Sequence, residues 1–338
     1  MRCLASDRST SRLCERRTRR WPTGLAARAA AGIASVTMPT DQSTLTARQG
    51  APLPPIRRLG PADLRRCTAL SVDRGWSPEK PKWSMLLAAS EVFGTDAPDG
   101  KGLAGAVVLT RWGTDLASVG MMLVAARYGR RGLGRALMEH LLHAAGEDCT
   151  VTLFATDMGR PLYQQLGFEP VRANVSYAGR LAPPAVSLDG TASPAGIRPA
   201  AKADLPAILA VDRAAFGADR EGILSRLPRF SDHIAVLDCG HGVEGYATAW
   251  RNHVTSTVIG PLVAPDGEAA KRLVTHLAAR ARTKVIRLDL DPDRPELPGW
   301  AQAHGLSPVA RTLVMAHGKL VPRGTPERLF TPISVALA

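Results

Sequence analysis

The chain has 338 residues, 45% of them hydrophobic and 5% aromatic, and a formal net charge of +13. That length allows two domains of ordinary size, and no apolar run is long enough to span a bilayer. The cysteines, Cys3, Cys14, Cys67, Cys149 and Cys239, are scattered without a C-x-x-C pair, so neither a zinc nor a disulfide framework is indicated, which suits a reducing cytosol.

Much of the charge sits in residues 1–49, where nine arginines against three acids leave a net +6. No module with stacking aromatics accompanies it, so nucleic acid is not expected as a partner. Residues 1–49 lack apolar periodicity and are expected to be disordered, or an artefact upstream of a start at Met38. A transit peptide, or a twin-arginine signal at Arg19-Arg20, is the alternative.

Ile56-Arg57 followed by Ala62-Asp63-Leu64 predicts a strand and a helix that starts at Asp63. A second helical region spans Trp76 to Ser90. Val92–Thr95 and Leu103–Thr110 flank Asp99-Gly100-Lys101-Gly102, a hairpin signal. Ala117–Val124 reads as a buried strand, and Gly134–Ala145 as a helix with Leu133, Leu137, Leu141 and Ala144 on one side. His140 and His143 on that helix read as structural or solvated. A strand (Cys149–Ala155), a short helix (Arg160–Leu166) and a strand (Glu169–Gly179) follow.

The loop between the buried strand and its helix carries the chemistry. Gly132 and Gly134 lack a Cβ and let a ligand approach the backbone. The N–H groups of Arg131 to Ala136 lie at a helix N-terminus, which favours an anion, and Arg130, Arg131 and Arg135 add charge. This is the pattern of a pyrophosphate cradle. It is not the dinucleotide fingerprint, since Leu137 stands at the third Gly, and no Gly-Lys-Ser/Thr is present.

With Leu162, Tyr163, Gly167 and Phe168 downstream, the loop resembles that of the GNAT superfamily of acyl-CoA N-acyltransferases, whose motif reads Gln/Arg-x-x-Gly-x-Gly/Ala. Gly129 stands at the Gln/Arg position, with Arg130 displaced by one. The resemblance implies acetyl-CoA as co-substrate and no metal. Its contacts would be Leu123, Val124, Gly129, Arg130, Arg131, Gly132, Leu133, Gly134, Arg135, Ala136 and Thr156. It implies a backbone N–H near Leu123 as oxyanion donor and Tyr163 as general acid. The acceptor would be the primary amine of a small molecule, acetylated by direct transfer. Asp115 and Asp157 flank the central strands, and no base is identified. Trp76 and Trp83 either line the acceptor pocket or pack. A non-catalytic acyl-CoA-binding or sensor protein is the alternative. The protein is expected to be cytoplasmic, off the membrane, and a monomer or homodimer.

After a Pro/Ser/Gly linker the first half repeats. Ile197-Arg198 with Ala203-Asp204-Leu205 reproduces Ile56-Arg57 with Ala62-Asp63-Leu64 at equal spacing, and Pro261–Ala264 echoes Met122–Ala125. The fold class is α/β (α+β), as two tandem GNAT-like domains, each a mixed, mostly antiparallel sheet flanked by helices. The expected boundaries are 50–181 for an active domain, 182–195 for the linker, 196–318 for a degenerate domain and 319–338 for a C-terminal tail. The second loop, Pro265 to Arg272, lacks G-x-G and carries Asp266 and Glu268, and Ala301 stands in the place of Tyr163. The layout resembles tandem proteins of the YitH type. Asp212, Asp219 and Arg220 either face the first domain's acceptor pocket or serve as cap and ion pair. Asp289, Asp291 and Asp293 suggest a metal or a solvated turn.

Overall fold

A computed structural model describes residues 54–182 and 196–337, so the expectations for residues 1–49 and for most of the linker lie outside the described residues. The first half runs β1 (Arg57–Leu59), α1 (Leu64–Asp73), α2 (Lys80–Ala89), β2 (Glu91–Asp96), β3 (Leu103–Arg111), β4 (Leu116–Val124), α3 (Leu133–Ala145), β5 (Thr150–Ala155), α4 (Arg160–Gln165) and β6 (Glu169–Gly179). The second runs β7 (Ile197–Pro199), α5 (Leu205–Phe216), α6 (Glu221–Leu224), α7 (Leu227–Phe230), β8 (His233–Asp238), β9 (Val243–His253), β10 (Ser256–Val263), α8 (Gly267–Ala278), β11 (Val285–Leu290), α9 (Glu296–Ala303), β12 (Leu306–His317) and β13 (Leu329–Thr331).

β3 and β4 are near-continuous apolar runs, buried on both faces because helices cover each side of the sheet. Leu133, Leu137 and Leu141 of α3 reach the core from one face, and Cys67 and Leu70 of α1 with Trp83 and Leu86 of α2 lie in the same core. Trp83 is fully buried, its indole N–H donating to Ser71 Oγ at 2.8 Å, whereas Trp76 is exposed. His140 packs edge-on against Phe93.

Two sheets were expected; the described residues form one sheet of 13 strands. The halves exchange their last long strands. β12 pairs antiparallel with β5 and β6, and β6 pairs with β11. The seam is polar: Ser176 donates to Asp289 at 2.6 Å, Arg287 holds the same carboxylate at 2.9 Å, and Asn174 donates to Thr312. Asp289 is thus a structural acceptor, Asp291 pairs with Arg172, and the Asp293 N–H donates to Asp291. The described residues include no group of three or more metal-ligating side chains.

The expected C-terminal tail is in fact part of the fold. β13 joins β10, and Ile333, Ala336 and Leu337 enter the core shared with β3 and β4. No helix among the described residues is long and apolar enough to cross a membrane.

Candidate acyl-CoA site

β4 and β5 are parallel neighbours from Leu116–Thr150 to Val119–Leu153, and beyond that they part. Met121, at φ +46°, starts the divergence with a bulge, where Met121 and Met122 of β4 lie opposite the single residue Val107 of β3. The edge of β4 from Gly120 to Val124 therefore faces no strand among the described residues. The Ala125 N–H donates to Ala104 at 2.9 Å. Antiparallel alternation then sends the Leu123 N–H to β3 as well, and turns the Val124 N–H into the opening. The backbone N–H that faces the opening is therefore that of Val124, one residue beyond Leu123.

The loop after β4 turns on Arg130 at φ +57° and Gly132 at φ +78°. As the N-cap of α3, Gly132 has no side chain to bond the helix's first N–H groups. The Ala136 N–H is already spent on the Gly132 carbonyl at 3.0 Å. The open donors are Leu133, Gly134 and Arg135, and Ala136, expected among them, is not one. Gly134 lies against Met122, Val124 and Leu162, so the helix start seats closely on β4 and α4.

Arg130 and Arg131 are exposed and no ion pair holds them among the described residues. Arg135 differs from expectation. Its guanidinium bonds Gln165 of α4 at 2.5 Å and pairs with Glu139, bracing α3 on α4 instead of facing the loop. Gly129 is an exposed turn residue, its N–H bonded to Ala126. The Thr156 hydroxyl accepts from the Gly159 N–H and shapes the start of α4.

Tyr163 is 9% exposed, with Phe168 5.9 Å away and its hydroxyl beside Gly159. Burial pushes its phenol up to about 12. Asp115 does not serve this site: it sits at the closed end of β4 and pairs with Arg323 at 2.5 Å. Asp157 is exposed. The described non-glycine residues with positive φ are Glu79, Met121 and Arg130, all in the first half. Met121 is at the bulge and Arg130 in the cradle, where backbone strain of this kind clusters at working sites. No residue pattern around Met121 signals its positive φ.

The second half closes both features. Past Val258–Arg287, β10 parts from β11 as β4 does from β5, but β13 fills the gap, pairing at Leu262 and Val263. Arg294 secures β13 by donating to the carbonyls of Pro326 and Leu329, at 3.1 and 2.9 Å, and by covering the Phe330 ring. The N-cap of α8 is Asp266, whose carboxylate accepts from the Ala269 N–H at 2.8 Å. The helix end that would take an anion holds its own. A shallow cleft of about 390 Å³ lined by Val211, Val243, Glu244, Pro265 and Arg328 is also in this half, away from the cradle. Asp212 is buried, bonded by Arg220 at 2.9 Å and by the Tyr246 hydroxyl at 2.5 Å, and Asp219 accepts from the Glu221 N–H. Asp212 and Arg220 form a buried ion pair, the cap-and-ion-pair alternative, and Arg220 covers the Phe216 ring, which packs on Trp112 of the first half.

Comparison with known proteins agrees with this geometry. Two models of the acetyltransferase (GNAT) domain match, over residues 89–170 and 208–331. An uncharacterized N-acetyltransferase of Bacillus subtilis (strain 168), YitH, is 28% identical over 184 residues, covering 54% of this chain and 63% of that protein, under two thirds of its length. A Pyrococcus horikoshii protein assigned as an acetyltransferase superposes with a TM-score of 0.70 at 19% identity, over 84% of this chain and 95% of that one. A tandem GNAT protein from the clavulanic acid biosynthesis pathway gives a TM-score of 0.54 at 17% identity, over 79% and 99%. The chain belongs to the GNAT acetyltransferase superfamily and carries its domain twice, in tandem.

Proposed function

We propose that the protein is an N-acetyltransferase that moves an acetyl group from acetyl-CoA to the primary amine of a small molecule, with its single active site in the first half. The observation that carries this reading is the contrast between the halves. One strand divergence is open beside an uncapped helix N-terminus, whereas its counterpart is filled by β13 and capped by Asp266.

Acetyl-CoA supplies an activated acyl group and a thiolate leaving group. The N–H groups of Leu133, Gly134 and Arg135, with Arg130 and Arg131, suit its pyrophosphate. Direct attack by the neutral amine places negative charge on the thioester oxygen, where the Val124 N–H donates; one such donor is worth ~2.7–4 kcal/mol in other enzymes. Tyr163, held protonated at neutral pH by burial, donates toward the departing sulfur. Full transfer from a phenol near 12 to a thiolate near 8.5 is uphill by ~5 kcal/mol, so the hydrogen bond, and a proton finally drawn from the attacking ammonium, carry the step.

Tyr163→Phe tests this. The expected result is a fall in kcat of ~10²-fold or more with acetyl-CoA affinity unchanged. An unchanged kcat overturns the acid assignment. Because neither Asp115 nor Asp157 is placed as a base, an acyl-CoA-binding protein without turnover is the second reading. Binding of acetyl-CoA with no release of CoA thiol in the presence of any amine would favour it.

A further inference from the structure

The last residues of the chain reach the first half's site through the second half. After β13, Ile333, Ser334 and Leu337 expose 0, 3 and 1% of their surface. The Pro332 carbonyl presses on Gly260, where β10 bulges. Four residues later the Ala336 carbonyl presses on Gly120, and a Cβ at either glycine would overlap the oxygen it faces. Gly120 is the first β4 residue past the last β5 pair and directly precedes the Met121 bulge. Ala336 thus stands on the face of β4 where that strand leaves β5, beside the opening proposed to take the acyl group.

The side on which it stands matters. A Cβ at Gly105 would meet Leu133 and Leu137, so that face belongs to α3 and the cradle. Gly120 shares its face with Val108, on the opposite side of β3, which α1 and α2 border. In the proposed reaction the amine comes from the side that α3 and the cradle leave free. The segment is also preformed: the Ala336 N–H donates to Ser334 Oγ at 3.2 Å, and the Leu337 N–H to the Ser334 carbonyl at 2.8 Å.

We infer that residues 333–337 form a wall of the amine site and set the largest amine it admits. The second half, which lacks an open site, serves to hold this wall through β13. The inference rests on the acetyltransferase reading and goes past it, since it names what limits the acceptor.

The test needs no knowledge of the natural amine. CoA joined through a thioether-linked acetamide to propylamine, phenethylamine or spermine fills both subsites at once, and calorimetry gives each affinity. Three proteins are compared: the intact chain, a chain ending at Pro332, and Gly260→Ala, which displaces the segment from a position outside the first half. Thermal melts establish that each is folded. In the intact chain affinity should fall from propyl to spermine. In both variants that penalty should shrink by about tenfold or more, while affinity for CoA itself is unchanged. An identical size dependence in all three folded proteins overturns the inference alone. Failure of the intact chain to bind any conjugate overturns it together with the acetyltransferase reading.

Discussion

At the scale of single residues, Tyr163 predicts a pH profile. Its phenol, pushed up to about 12 by burial, stays protonated across the range in which an amine loses its proton. The rate should climb with pH as the amine becomes neutral and show no falling limb below about pH 10, the ordinary phenol value. A limb near pH 8 would point to another acid. The repeated Arg-Asp motif, legible in the sequence as a repeat and as a strand followed by a helix start at Asp63, is also an ion-pair staple. Arg57 bonds Asp63 and Asp96, and Arg198 bonds Asp204 and Asp238, each tying a first strand to its helix and to the next strand. Hydrogen bonds from Arg198 lower the Asp204 carboxyl from 3.8 to about 2. A depressed carboxylate stabilises the fold above its unfolded value and loses that contribution as pH falls through the folded one. Stability should therefore drop between about pH 4 and pH 2, less steeply in Asp204→Asn, as read by denaturant melts across that range.

Helix starts carry the difference between the two halves at the scale of elements. α3 leaves its first N–H groups open behind Gly132, whereas α8 satisfies one of them with Asp266. Asp266→Ala should cost about 0.5–2 kcal/mol of stability by denaturation, with acetyl-CoA affinity unchanged. Gly134→Glu places a carboxylate in the cradle and crowds Met122 and Leu162, and should weaken acetyl-CoA by about tenfold or more in calorimetry. The strand, tight loop and uncapped helix start were legible because two glycines after an apolar strand and before an amphipathic helix admit few structures. Arg135 and Ala136 were not, because a one-residue step along a helix turns a side chain by 100° and decides whether an N–H is spent. The filled opening in the second half was equally hidden. β13 is three residues long, and nothing in Leu-Phe-Thr says which strand edge it will meet.

Across the whole molecule, the exchange of β6 and β12 decides whether the halves are separable. Both strands follow a short helix, run 11 and 12 residues, and carry similar apolar patterns, so the exchanged and unexchanged pairings are equivalent in sequence. The tandem order was readable; the partner of each strand was not. In the folded chain β5 depends on β12, and β6 is flanked by β12 and β11, all from the second half. A chain cut after Leu181 would leave the β5 edge bare and β6 with neither neighbour, and exposed strand edges pair with other chains. That fragment should aggregate on size exclusion. Co-expression with residues 196–338 should return a soluble complex, since the exchanged strands give each half a template for the other. The intact chain should melt in a single calorimetric transition, with calorimetric and van't Hoff enthalpies equal, because neither half completes its sheet alone. Two separated transitions, or a soluble first half that binds acetyl-CoA unaided, would show that β6 returns to β5 and that the exchange is not needed for folding.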